Sequence, residues 1–161
     1  MVKITVESKR YKCSLEIKEK VTFIKGDSGV GKTEFTRRIS SESRANRISV
    51  SNDYDLVVLR PDTFRHICQR IAGNETDKKR GDALENYWSN RDNFPYYNSI
   101  IVIDDEDFVK NRDFSHFFNC DKYNYYIIIN RSKVPGINYS VDEIYNFVKD
   151  GTDHYIKKAY T

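Results

Sequence analysis

The sequence predicts an α/β fold that opens with a β-hairpin. Three observations carry this expectation. Val21-Thr22-Phe23-Ile24, a short apolar and β-branched run, reads as a buried strand and leads into the glycine-rich stretch Gly26-Asp27-Ser28-Gly29-Val30-Gly31-Lys32-Thr33. Ser99-Ile100-Ile101-Val102-Ile103 is the strongest strand signal in the chain and runs directly into Asp104-Asp105-Glu106-Asp107. Between and after such strands lie residues at helical spacing, beginning with Phe35 and Ile39, four apart on one helix face.

The elements follow in order. Val2, Ile4 and Val6 alternate with polar residues, as do Tyr11, Cys13, Leu15 and Ile17, and the short polar link Ser8-Lys9-Arg10 makes a hairpin of the two runs. The helix after the glycine-rich stretch is expected to reach about Ser43. Ile48-Ser49-Val50 reads as a short strand, Ser51-Asn52-Asp53 as a turn, and Leu56-Val57-Val58-Leu59 as a firmer strand closed by Arg60-Pro61-Asp62. Phe64, Ile67, Cys68 and Ile71 have the i, i+3, i+4, i+7 spacing of a helix that ends at Ala72-Gly73-Asn74.

Residues 75–91 are the most polar part of the chain, with a helix expected over 82–88 and Leu84, Tyr87 and Trp88 inward. Lys78-Lys79-Arg80 there reads as a solvated basic loop rather than a polyanion contact. Phe108, Val109, Phe114, Phe117 and Phe118 predict helical packing behind the strand at 99–103. Tyr125-Tyr126-Ile127-Ile128-Ile129 is another buried strand ending at Asn130-Arg131, and Pro135-Gly136 makes a turn. Residues 142–148 predict a last short helix with Ile144, Phe147 and Val148 inward, and His154-Tyr155-Ile156-Lys157 a final strand.

Composition bounds the function. The 161 residues read as a single domain, 1–161, undivided by linker, repeat or low-complexity tract. Hydrophobic content of 39% and charged content of 32% describe a globular, soluble chain. The net charge of +3, from 27 basic and 24 acidic residues, does not support nucleic acid as a partner. No apolar run approaches the ~20 residues of a membrane span, and the N-terminal alternation lacks the apolar core of a signal peptide. Cys13, Cys68 and Cys120 are scattered, as expected of reduced thiols in a cytoplasmic protein rather than of a disulfide framework or zinc site.

The glycine-rich stretch fits the pattern G-x-x-x-x-G-K-[ST] at every fixed position. Glycines at 26, 29 and 31 open backbone conformations that let successive N–H groups point inward at a phosphate. A helix starting near Lys32 adds its positive N-terminal dipole. Lys32 is expected to reach the β- and γ-phosphate oxygens and the Thr33 hydroxyl to ligate Mg²⁺. The candidate nucleotide-binding residues are therefore Gly26, Asp27, Ser28, Gly29, Val30, Gly31, Lys32, Thr33 and the adjoining Glu34.

Four apolar residues followed by an acid describe a Walker B element. Asp104 is expected to hold Mg²⁺ opposite Thr33, and the long interval between them leaves room for an additional strand. Asp105, immediately after the metal ligand, and Glu106, with the longer reach, compete to orient or deprotonate the attacking water.

On residues 26–33 and 100–106 the chain resembles a P-loop NTPase of the additional-strand class, the group of ABC-type, AAA-type and RecA-type ATPases. An N-terminal hairpin leading into the phosphate-loop strand is most similar to the ABC-type core. The resemblance implies a three-layer α/β fold with a mainly parallel sheet, Mg²⁺-dependent ATP binding, and a site at the carboxyl ends of the strands. Asn130, a polar residue ending the strand after the Walker B element, resembles a sensor of the γ-phosphate and equally a capped strand end. The L-S-G-G-Q signature of ABC-type dimers is missing, as is the ABC-type histidine.

The function this implies is Mg²⁺-dependent ATP hydrolysis, slow in isolation and coupled to self-assembly or to a protein partner that contributes an arginine. The D-x-x-G and N-K-x-D elements of the similar small GTPases are missing, which disfavours GTP. A P-loop kinase is the rival enzyme, with residues 73–91 as a mobile lid and Lys78, Lys79, Arg80 and Arg91 as phosphate clamps. A nucleotide-binding switch without turnover is the remaining alternative.

Overall fold

The computed structural model describes residues 2–8, 11–25, 35, 36, 39, 47–104, 108, 111–130, 144–150 and 153–158. Strands β1 (Val2–Ser8) and β2 (Tyr11–Ile17) pair antiparallel, with Val2 opposite Ile17 and Ser8 opposite Tyr11. This is the hairpin the alternation predicts, and its apolar set Val2, Ile4, Val6, Cys13, Leu15 and Ile17 is buried. Strand β4 (Arg47–Val50) pairs antiparallel with the other edge of β1, giving a three-stranded sheet in the order β2-β1-β4. A turn follows in which Asn52 and Asp53 take φ of 60° and 57°, a region these two residue types tolerate.

The second sheet runs in the order β5-β6-β7-β3-β8-β9, built from β3 (Val21–Lys25), β5 (Asp55–Val58), β6 (Ser99–Ile103), β7 (Tyr125–Asn130), β8 (Ile144–Asp150) and β9 (Asp153–Lys158). The five strands from β5 to β8 are parallel and β9 runs antiparallel to β8. Strand β7 lies between β3 and β6. The predicted mixed α/β class and mainly parallel sheet are observed.

Because successive side chains of a strand point to opposite faces, each central strand serves two cores. Val21, Phe23, Ile101, Ile103, Tyr126 and Ile128 meet the helices α1 (Pro61–Ala72), α2 (Asp77–Trp88) and α3 (Arg112–Cys120). Ile24, Ile100, Val102, Ile127 and Ile129 meet the hairpin sheet together with Phe35 and Ile39. The helical face is dominated by aromatics: Phe64 lies edge-on to Phe117 at 5.4 Å and to Phe108 at 5.0 Å, and Trp88 edge-on to Phe117 at 5.2 Å. Much of the aromatic content thus fills this core.

Residues 144–150, where a helix is expected over 142–148, form strand β8. Ile144, Phe147 and Val148 satisfy helical spacing, but a short run of β-branched and aromatic residues satisfies a strand equally well. Tertiary pairing decides the matter. The open edge of β3 presents unpaired backbone groups, and β8 satisfies them with Ile144 beside Phe23, Tyr145 beside Ile24 and Asn146 beside Lys25. The final strand predicted at 154–157 is β9.

Helix α2 begins at Asp77 rather than 82, and Tyr87, expected inward, is 42% exposed. Its buried stripe is Gly81, Leu84 and Trp88. At 100° per residue Tyr87 lies about a quarter turn off that stripe. Gly81 occupies an inward position because the His116 ring covers it: a Cβ there would stand 2.8 Å from His116 Nε2. A glycine gives hydrophobic periodicity no signal, so the stripe's true phase was hidden. The helical residues Phe35 and Ile39 are both buried, as their spacing predicts, whereas the helix end near Ser43 and the turn at 135–136 lie outside the described residues.

Buried ionisable groups make the fold sensitive to alkali. Burial, reinforced by Asp113 and opposed by Arg80, pushes the Cys68 thiol from 9.0 to about 12. Burial and then the neighbouring Asp121 hold the Tyr126 phenol well above its ordinary 10.0. The unfolded chain therefore releases these protons first, and stability falls as pH rises above about 9. Half-buried Lys20, lowered by desolvation, acts in the opposite sense as pH approaches its ordinary 10.5, while Tyr96 and Cys120, both raised by burial, act with Cys68. The expected result is a melting temperature that declines steadily from pH 9 to 11, less steeply in Cys68→Ala; thermal scans that stay flat over this range would refute it.

Candidate functional site at the carboxyl edge of the parallel sheet

Parallel strands bring their carboxyl ends to one edge of the sheet. Lys25, which ends β3, lies beside Asn130, which ends β7. Asp104 follows directly on β6 and is half-buried. Its Oδ2 accepts a hydrogen bond from Thr36 Oγ1 at 3.0 Å. Thr36 is helical and follows Phe35, whose side chain is fully buried against the sheet together with that of Ile39. The helical segment after the glycine-rich stretch and the acid after β6 are thereby joined across 68 positions of sequence.

Of the residues singled out by motif, Asp104 takes its expected place at the end of a buried strand, and the backbone of Asn130 ends β7 one strand away. Residues 26–34, which include Lys32 and Thr33, lie outside the described residues, as do Asp105 and Glu106. Thr36, the hydrogen-bond partner of Asp104, belongs to no matched motif. It stands three positions beyond Thr33, the spacing of one helix face, and that spacing was the available signal.

A hydroxyl and a carboxylate are hard oxygen donors of the kind Mg²⁺ prefers, so the described chemistry fits that ion in kind. Among the described residues no cluster of three His, Cys, Asp or Glu side chains could hold a metal ion by itself.

The amino ends of the same strands are locked together by a polar network that sequence reading missed. Asp121, 1% exposed, accepts from the Tyr126 hydroxyl, from Asn124 Nδ2 at 2.9 Å and from Tyr123 N at 2.8 Å. Asn124 also donates to Tyr96 O at 2.8 Å and accepts from Ser99 N at 3.0 Å. Tyr126 N donates to Lys20 O at 2.7 Å, extending the pairing of β7 with β3 by one residue. The Lys20 ammonium bonds Phe118 O at 2.6 Å and lies 4.0 Å from the centre of the Phe118 ring. A cavity of about 290 Å³ opens here, with Lys20, Tyr54, Lys122 and Tyr125 in its wall. By fixing how β3, β6 and β7 start relative to one another, this network sets which residues reach the opposite edge.

Residues 73–91, the lid candidate by sequence, contain a turn and the packed helix α2. Leu84 and Trp88 of α2 are buried in the aromatic core. Arg80, a clamp candidate by sequence, is committed elsewhere: Nε and Nη2 each reach the Asp113 carboxylate at 3.0 Å, and Nη1 bonds the carbonyls of Gly73 and Glu75 at 3.3 Å. Its planar fork ties the α1–α2 turn to the first turn of α3. Lys78, Lys79 and Arg91 are exposed.

No helix among the described residues is long and apolar enough to cross a membrane. Comparison with protein-family models and with curated proteins finds no match to the chain.

Proposed function

We propose that this protein binds MgATP at the carboxyl edge of its parallel sheet and hydrolyses it slowly in isolation. The observation that carries the reading is the Thr36–Asp104 hydrogen bond. It joins the acid after β6 to the helical segment downstream of a complete G-x-x-x-x-G-K-[ST] pattern. The strand order bears on it as well: β7 stands between β3 and β6, so the strand before the glycine-rich pattern and the strand before Asp104 are parallel members of one sheet.

In this reading residues 26–31 cradle the phosphates through backbone N–H groups, and Lys32 neutralises their charge. Thr33 and Asp104 would hold Mg²⁺. The ion, when bound, offsets charge developing on the transferring phosphoryl group. Asp105 or Glu106 orients the attacking water, and Asn130 at the end of β7 reads the γ-phosphate. The packing of α2 and the engagement of Arg80 with Asp113 favour hydrolysis over a kinase that closes residues 73–91 as a lid.

The test is phosphate release from ATP and GTP with Mg²⁺, at several protein concentrations and with Asp105→Asn and Glu106→Gln. Release from ATP that rises with concentration and drops at least about tenfold in one of the two variants is expected. Transfer only to an added acceptor would make the protein a kinase, and tight binding without turnover would make it a nucleotide switch.

A further inference from the structure

We propose that Thr36 is a positioning residue that sets the affinity of this site for Mg²⁺ by orienting the Asp104 carboxylate. The inference rests on the nucleotide-binding reading above and deepens it. A carboxylate on a two-bond side chain can rotate about its terminal torsion, which is broad and shallow. A hydroxyl donor on one oxygen narrows that rotation. Thr36 Oγ1 donates to Oδ2 at 3.0 Å and thereby fixes the plane in which the carboxylate meets its other ligands.

Thr36 is suited to this by type and by setting. Its β-branched side chain has few rotamers in a helix, so its hydroxyl is held rather than swivelling. Its hydroxyl reaches across to another part of the chain, 68 positions away in sequence. The backbone that carries it is anchored by Phe35 and Ile39, 1% and 8% exposed, against Ile24, Ile100, Val102, Ile127 and Ile129. Two of those residues belong to β6, the strand that Asp104 directly follows, so donor and acceptor adjoin one packed core.

The experiment measures binding of a fluorescent ATP analogue at fixed nucleotide with MgCl₂ varied, and again with the metal chelated. It uses the full chain as wild type, Thr36→Val, Thr36→Ser and Lys32→Ala. Thr36→Val preserves shape and removes the hydroxyl. It is expected to raise the Mg²⁺ concentration for half-maximal effect about tenfold, in line with loss of one hydrogen bond to a charged group, while metal-free binding changes less than about twofold. Thr36→Ser, which keeps the donor, is expected to return the Mg²⁺ midpoint to within about threefold of wild type. Melting temperatures without nucleotide accompany each variant.

An unchanged Mg²⁺ midpoint in Thr36→Val, with binding lost in Lys32→Ala, would overturn the role of Thr36 and leave the nucleotide reading standing. Equal weakening with and without metal would overturn it too, as the mark of a contact that serves only the fold. Undiminished binding in Lys32→Ala, or none in wild type, would instead remove the nucleotide reading and this inference with it. Should Thr36→Val fail to fold, Thr36→Ser and Asp104→Asn decide the question: a midpoint raised in Asp104→Asn and near wild type in Thr36→Ser supports the inference. A Thr36→Ser midpoint as high as that of Asp104→Asn overturns it.

Discussion

Lys32→Ala is expected to weaken ATP binding by roughly 30-fold to several thousandfold, the range for removing one partner of a close, desolvated charge pair at about 2–5 kcal/mol. The lysine would be the single full positive charge supplied by the G-x-x-x-x-G-K-[ST] pattern, the remaining contacts being backbone amides and a hydroxyl. Amides hold a phosphate in place but neutralise little of its charge, so the cradle alone should retain only weak affinity. Phosphate release should fall at least in parallel. Far-ultraviolet circular dichroism should match wild type, because a side chain that works against a ligand contributes little to the empty fold. Calorimetric titration of ATP with Mg²⁺ reads the effect directly, and affinity within about threefold of wild type would refute the assignment of Lys32.

Asp121→Ala is expected to act at the other end of the sheet and on stability instead. Asp121 accepts from the Tyr126 hydroxyl, Asn124 Nδ2 and Tyr123 N, and Tyr126 is fully buried while Asn124 is 7% exposed. Alanine takes this acceptor from the Tyr126 hydroxyl and Tyr123 N and leaves Asn124 Nδ2 its bond to Tyr96 O, at about 1–3 kcal/mol for each buried group. A loss of roughly 3–5 kcal/mol follows, or about 6–20 °C in melting temperature for a domain of this size. Asp121→Asn keeps one acceptor oxygen and should cost less. Because Asn124 also receives Ser99 N, loosening it releases the starts of β6 and β7 together. A melting temperature within about 2 °C of wild type in Asp121→Ala would show that the network carries little of the stability.

These two variants separate what is encoded locally from what is assembled. The strands β1, β2, β3, β6 and β7 were legible because each is a short run whose apolar pattern is complete in itself. The same holds for α1, whose Phe64, Cys68 and Ala72 form an unbroken stripe. The α2 stripe was misread at Tyr87 because one of its inward positions is a glycine covered by a histidine from α3. Strand β8 was misread because its residues fit two periods and only the vacant edge of β3 chose between them. In both cases the deciding contact comes from a part of the chain remote in sequence.

The candidate site divides along the same line. The glycine-rich pattern, the strand before it and the acid after Ile103 were set by sequence alone, since each is a matter of residue types and spacing within one short segment. Tertiary structure decided that Asp104 meets Thr36 and that β7 stands between β3 and β6. It also decided that Arg80 is spent on Asp113 and that Asp121 locks the strand starts. Those outcomes depend on which side chains are brought within about 3 Å of one another, the reach of a hydrogen bond. Local periodicity carries no information about that distance; it arises only when strands far apart in the chain are laid side by side and a common core fixes their register.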